Sequence, residues 1–96
     1  MKRENTFQAN LIDELKETFS GCIVLKNDSS YMQGIPDLSI FYKDKWAMLE
    51  CKKNANASHQ ANQDYYVTTA MGMSYAAFIY PENKDEVMEE LKQHFA

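Results

Sequence analysis

Read for the spacing of its apolar positions, the chain moves between two periods. Over residues 4–19, Phe7, Leu11, Ile12, Leu15 and Phe19 fall on one stripe at helical spacing, while Asp13, Lys16 and Glu17 face away. Ser20-Gly21 ends that helix, and residues 22–25 read as a short, largely buried strand. A polar loop at 27–33 (NDSSYMQ), a place for contact with a ligand or nucleic acid, leads through Gly34-Ile35-Pro36 into two strand-like runs. These span 37–42 and 45–52 and are joined by Lys43-Asp44. A second helix is expected over 59–71, with Ser58 as its N-cap, Tyr66, Val67, Ala70 and Met71 on its core face, and Gly72 ending it. Residues 74–80 form a last strand, stopped by Pro81. Asn83 then opens a third helix in an N-x-x-E spacing with Glu86, close to a capping box, and Val87, Leu91 and Phe95 recur every four residues. The order α-β-β-β-α-β with a C-terminal helix predicts an α/β fold: one domain over residues 1–96, its mixed sheet lying between helices.

Alternation sharpens the central pair of strands. Leu38, Ile40 and Tyr42 share one face, and Asp37, Ser39 and Phe41 the other; on the return run Ala47, Leu49 and Cys51 oppose Met48, Glu50 and Lys52. Both faces are largely apolar, so the sheet is expected to be covered on both sides. If Lys43 and Asp44 form a two-residue loop, Tyr42 pairs with Lys45 and, stepping outward, Asp37 pairs with Glu50. Directly opposed residues have Cβ atoms roughly 4.5–5.5 Å apart. That register brings Asp37, Glu50 and Lys52 to one end of the hairpin. Two opposed carboxylates repel, and a divalent cation is the natural compensation. Taken alone, Glu50 and Lys52 read as a solvated strand end. Asp37 brought opposite them, behind Pro36, turns the reading toward a site.

Composition limits the alternatives. A chain of 96 residues with 45% hydrophobic content supports one small core. Cys22 and Cys51 read as buried free thiols of a reducing compartment, and neither His59 nor His94 is spaced with them for zinc. No run approaches a membrane span, and the N-terminal residues lack the apolar core of a signal peptide, so a soluble, cytoplasmic protein is expected. The net charge of −4 argues mildly against a nucleic-acid partner, but its distribution is uneven. Glu82, Asp85, Glu86, Glu89 and Glu90 sit in the last fifteen residues, whereas Lys26, Lys43, Lys45, Lys52 and Lys53 gather around the hairpin, with Lys2 and Arg3 at the N-terminus. Lys26, Lys43, Lys45 and Lys53 are the candidate DNA contacts. Glu4 and Gln8 fall within the apolar stripe of the first helix: either that end overhangs the core, or the two reach a polar site. Gln63 poses the same choice on the second helix, as a helix-start residue or a site residue. Tyr31, Tyr65 and Tyr66 read as core or interface residues, and His59 as a surface loop residue.

Gly34-Ile35-Pro36-Asp37-Leu38, a spacer of twelve residues from 38 to 49, and Glu50-Cys51-Lys52 resemble the PD-(D/E)xK nuclease signature. With Gln63-Asp64-Tyr65-Tyr66 opening the second helix, the chain is most similar to the small stand-alone VRR-NUC proteins of phages and bacteria, themselves similar to Holliday-junction resolvases. The resemblance spans nearly the whole chain. It implies a restriction-endonuclease-like fold and a metal-dependent endonuclease acting on branched, Holliday-junction or flap DNA, as a homodimer. It implies Mg²⁺, with Mn²⁺ as a substitute, held by Asp37, Glu50 and the Cys51 carbonyl, and no small-molecule cofactor. It implies Lys52 as the residue that orients or deprotonates water, Gln63 positioning the lysine or phosphate, and Glu4 as an outer contact. The alternative is a catalytically inactive nuclease-fold module that binds DNA or protein.

Overall fold

A computed structural model describes residues 3–96 of the chain, with side chains from residue 6 onward. The Lys2 and Arg3 charges and the Glu4 side chain therefore lie outside the described residues.

The hairpin sets the frame. Strands β2 (Leu38–Tyr42) and β3 (Lys45–Cys51) pair antiparallel with Tyr42 opposite Lys45 and Leu38 opposite Leu49, the register that alternation predicts. The loop contains no glycine, and Lys43 itself takes the left-handed conformation (φ 58°) that a tight hairpin turn demands. Strand β1 (Ile23–Lys26) lies antiparallel on the outer side of β2, and β4 (Tyr75–Ile79) runs parallel to β3. Helix α2 (Ala61–Met73) makes the crossover that a parallel pair requires. The result is a four-stranded mixed sheet in the order β1-β2-β3-β4.

Helices α1 (Arg3–Thr18) and α3 (Lys84–Phe95) cover one face. Leu11, Leu15 and Phe19 meet Val87, Leu91 and Phe95 over Leu38, Ile40, Leu49 and Cys51, all buried. Burying each such aliphatic side chain stabilises by about 1.5–3 kcal/mol. On the other face α2 sets Val67 and Ala70 against Trp46, Met48, Ala76 and Phe78. Glu14, on the rim of the α1 stripe, pairs with Lys84 at 2.7 Å and clamps α1 to α3.

Several local expectations need correction. Strand β1 runs one residue later than expected and is not buried: Ile23 is 58% and Leu25 49% exposed. It is an edge strand, and α2 lies chiefly over β3 and β4. Helix α2 starts after Gln60, not Ser58, because the Ser58 carbonyl accepts from Lys52 and His59 stacks on Phe78 at 3.9 Å between ring centroids. Gly72 does not end the helix. Its φ is not left-handed, and Ser74 N–H still donates to Ala70 O at 2.9 Å. Met71 faces outward, as do Tyr65 and Tyr31. Asn83 stands at the N-cap of α3, but its amide serves Tyr80 N–H and Phe78 O, tying the turn to β4 in place of a capping bond. Among the described residues, no helix is long and apolar enough to cross a membrane.

Candidate active site

Beyond Leu38↔Leu49 the paired backbones of β2 and β3 part, while β3 stays paired with β4 to Cys51↔Ile79, and Lys52 N–H donates to Ile79 O at 2.8 Å. Side chains take over the bonds that the antiparallel ladder gives up. Cys51 N–H donates to Asp37 Oδ2 at 2.9 Å, and Asp37 N–H donates to Glu50 Oε1 at 3.1 Å. Each carboxylate thus binds the backbone of the opposite run, and the two share one face of the sheet. On the outer side, Asp37 O accepts from Asn27 N–H at 2.8 Å, and the Asn27 side chain donates to Pro36 O and Ser39 Oγ, both at 2.8 Å. Pro36 has no N–H to satisfy and is buried at this bend.

Glu50 and Lys52 are buried charged residues, with side chains only 5% and 10% exposed. Their separation, 3.8 Å from Nζ to Oε2, is an ion pair longer than a hydrogen bond. Gln63 fills the gap between them. Its Oε1 accepts from Lys52 Nζ at 2.7 Å and from Gln60 N–H at 3.2 Å, while its Nε2 donates to Glu50 Oε2 at 3.0 Å. Only one orientation of the amide satisfies a cation and an N–H on one side and a carboxylate on the other. Lys52 also donates to Ser58 O at 3.1 Å. A buried ion pair that lost these bonds would be strongly destabilising. Among the described residues, no buried side-chain nitrogen or oxygen lacks a partner.

Asp37, Glu50, Lys52 and Gln63 line a polar cleft of about 760 Å³ between the end of the sheet and the start of α2, with Lys53 and Asn54 on its wall. Gly34 makes that closeness possible. Its φ is +91°, and a Cβ there would sit 2.4 Å from Asn62 Cβ and 2.8 Å from the Asn62 carbonyl carbon. The loop entering β2 therefore lies directly on the first turn of α2, one residue before Gln63.

The structure does not gather all the expected residues. Lys43 and Lys45 sit at the hairpin tip, about 17 Å from the carboxylates at ~3.3 Å per strand residue. There Lys43 lies over the Tyr42 ring and Lys45 donates to Ala96 O at 3.3 Å. Lys26 lies at the carboxylate end of β1 but pairs with Leu38, which places it on the opposite face from Asp37. Of the four candidate DNA contacts, only Lys53 lines the cleft. Sequence reasoning missed Asn27 and Ser58. Asn27 carried a faint signal, as a turn-forming residue at the end of a strand. Ser58 acts through its backbone carbonyl, which no side-chain pattern reveals.

Among the described residues there is no cluster of three or more His, Cys, Asp or Glu side chains able to hold a metal. The hard-oxygen donors on offer are the Asp37 and Glu50 carboxylates and the backbone carbonyl between Glu50 and Lys52. That donor chemistry suits Mg²⁺, which commonly takes one or two carboxylates and keeps several waters. Compared with known proteins, the chain matches no family model, no curated protein and no solved structure.

Proposed function

We propose that the chain is a metal-dependent DNA endonuclease of the PD-(D/E)xK type, with a restriction-endonuclease-like fold, acting on branched DNA as a homodimer. The observation that carries this reading is the meeting of Asp37, just before β2, with Glu50 and Lys52, at the end of β3, and Gln63 of α2 in one polar cleft. The element order α-β-β-β-α-β supports it. Asp37, Glu50 and the Cys51 carbonyl would hold Mg²⁺ or Mn²⁺. Bound there, the cation supplies Lewis-acid polarisation of a phosphoryl oxygen and a more acidic water.

The chain's own residues do the rest. Lys52 carries three N–H donors, two of which go to Gln63 and Ser58. The third serves a non-bridging phosphate oxygen, where it offsets the charge that develops as water attacks. Gln63 holds Lys52 and Glu50 at fixed separation, so neither has to reorganise during the reaction. Lys53 draws the phosphate backbone into the cleft.

A second reading has its own support: the bonds that join Lys52, Gln63 and Glu50 also suit a purely structural network, and the chain is acidic overall. On that reading the chain is an inactive nuclease-fold module that binds DNA or protein. Incubation with a four-way junction and with linear duplex, with and without Mg²⁺ or Mn²⁺, separates the two. We expect metal-dependent cleavage that falls ~10²–10³-fold in Lys52→Ala, the scale of losing one transition-state donor. Binding with no products from either protein, in either metal, would refute the nuclease.

A further inference from the structure

Tyr31 is the most exposed large apolar side chain among the described residues, at 85%, and it stands on a loop that is anything but loose. Asp28 Oδ1 accepts from Ser30 N–H at 2.8 Å and Ser30 Oγ–H at 2.6 Å, and Asp28 O accepts from Tyr31 N–H at 3.1 Å and Met32 N–H at 3.3 Å. Ile35 N–H donates to Met32 O at 3.2 Å, closing the turn, and Asn27 ties its base to Pro36 and Asp37. The loop is thus held to the residue that bears the first carboxylate of the cleft. Ser29 faces the cleft, whereas a second, mostly apolar hollow of about 220 Å³ is bounded by Asn27, Asp28, Tyr31, Met32, Ile35 and Met48. Ile35 borders both spaces.

We infer that this hollow takes an unpaired nucleobase of the strand lying in the cleft, stacked on Tyr31, so that the protein selects DNA with unpaired bases beside the scissile phosphate. The inference rests on the nuclease reading of the cleft. At about 220 Å³ the hollow is smaller than the roughly 300–1,000 Å³ of a site for a drug-sized ligand, which limits its occupant to a group of about the size of one base. An exposed aromatic held on a braced loop stacks on any base face at little ordering cost. Asp28 adds an acceptor. The hydroxyl and N–H of Ser30 hold its carboxyl below the usual carboxylate range, so it accepts without donating. It can take an exocyclic amino group of adenine, cytosine or guanine, or the ring N–H that an unpaired thymine exposes. A continuous duplex keeps its bases stacked and out of reach.

The test uses the whole chain and two DNAs of one sequence: a continuous duplex and a gapped duplex with 2-aminopurine in the single-stranded gap. Anisotropy reads binding, 2-aminopurine fluorescence reads stacking, and cleavage is followed separately. We expect about tenfold tighter binding to the gapped DNA with quenched fluorescence, the scale of one stacked base. Tyr31→Ala, at a site too exposed to disturb folding, should remove the preference and the quench while leaving duplex binding alone. Tyr31→Phe should restore both. Equal binding to the two DNAs, or a preference that survives Tyr31→Ala, overturns the inference. If the preference holds but neither DNA is cut, the base site stands and the nuclease reading fails. If both are cut without preference, only the base site fails.

Discussion

Replacing Gly34 by Ala tests how closely the loop before β2 meets the first turn of α2, and Gly21→Ala is its natural control. The two glycines share a left-handed φ, +91° and +92°, but differ in surroundings: nothing lies within 4 Å of a Cβ at Gly21. Both substitutions carry the strain of a side chain at positive φ, about 1–3 kcal/mol. Both also stiffen the unfolded chain by a similar amount, which cancels in the comparison. Only at Gly34 does the new methyl overlap Asn62, at 2.4 Å from its Cβ and 2.8 Å from its carbonyl carbon. Carbon atoms rest at ~3.5–4.0 Å, so something must yield by on the order of 1 Å. One of the two obstructing atoms is helix backbone, which cannot rotate aside. Overpacking of this kind costs about 1–3 kcal/mol, and Gly34→Ala should be less stable than Gly21→Ala by that margin. Trp46 is the chain's single tryptophan and packs under α2, so its fluorescence in urea titrations reports both unfolding transitions. The displaced turn carries Gln63, and a shift of that size breaks its bonds of 2.7 Å to Lys52 and 3.0 Å to Glu50. A misplacement of ~1 Å is worth about 10²-fold in rate, so, under the nuclease proposal, cleavage by folded Gly34→Ala should fall that far, with Gly21→Ala near wild type. Equal loss of stability in the two variants would refute the close approach.

The remaining predictions concern the buried network and the alkaline limit. Gln63→Leu takes an acceptor from the buried Lys52 ammonium and should cost about 1–3 kcal/mol, read from the urea midpoint; an unchanged midpoint would show that Gln63 does not hold the lysine. Burial, then the 2.5 Å bond to Glu90, pushes the Tyr75 phenol above its ordinary 10.0, and the hydrogen bond to Glu14 pushes the Lys84 ammonium above 10.5. Both groups keep their protons longer when folded, so their stabilisation is complete below about pH 10 and lost as pH rises through the folded values. Urea midpoints followed upward from pH 9 should fall above about 10, and Tyr75→Phe should make that fall shallower; an identical fall in the variant would remove Tyr75 from the account.

Much of the frame was legible because strand alternation has a period of exactly two. A two-residue loop at Lys43-Asp44 sets Leu38 opposite Leu49, as alternation predicts, though the turn's lack of a glycine made register the weakest step. Asp37 meets Glu50 one step further on through its N–H and the Glu50 carboxylate, not as a ladder pair. What escaped depends on neighbours that pattern does not name. Ile23 and Leu25 look like core residues, but their exposure is decided by how far α2 reaches across the sheet. Lys43 and Lys45 are close to Glu50 in sequence yet at the other end of a strand, since extended chain gains ~3.3 Å with every residue. Tyr31 carries an apolar ring and so reads as buried, but the Asp28 turn holds it out in solvent.

The position of the candidate site follows from a feature that no one strand encodes. Strand β3 has two partners, and they end at different places: β2 leaves at Leu38, while β4 continues to Ile79. Along that overhang the N–H of Cys51 has no antiparallel strand to meet. A carboxylate at residue 37 supplies the acceptor, and Glu50 answers from the other side through Asp37 N–H. An apolar residue at either position would take away the side-chain acceptor of a part-buried backbone N–H, at about 1 kcal/mol each. The acids are thus called for by the fold before any ligand is considered, and this is why they can stand side by side despite their charge. Lys52, one step past the overhang and on the same face, brings its ammonium to 3.8 Å from Glu50 Oε2. A constellation justified by backbone bonding alone can exist without catalysis, which is why cleavage by Lys52→Ala, whose backbone bond to Ile79 is untouched, is the measurement that separates chemistry from architecture.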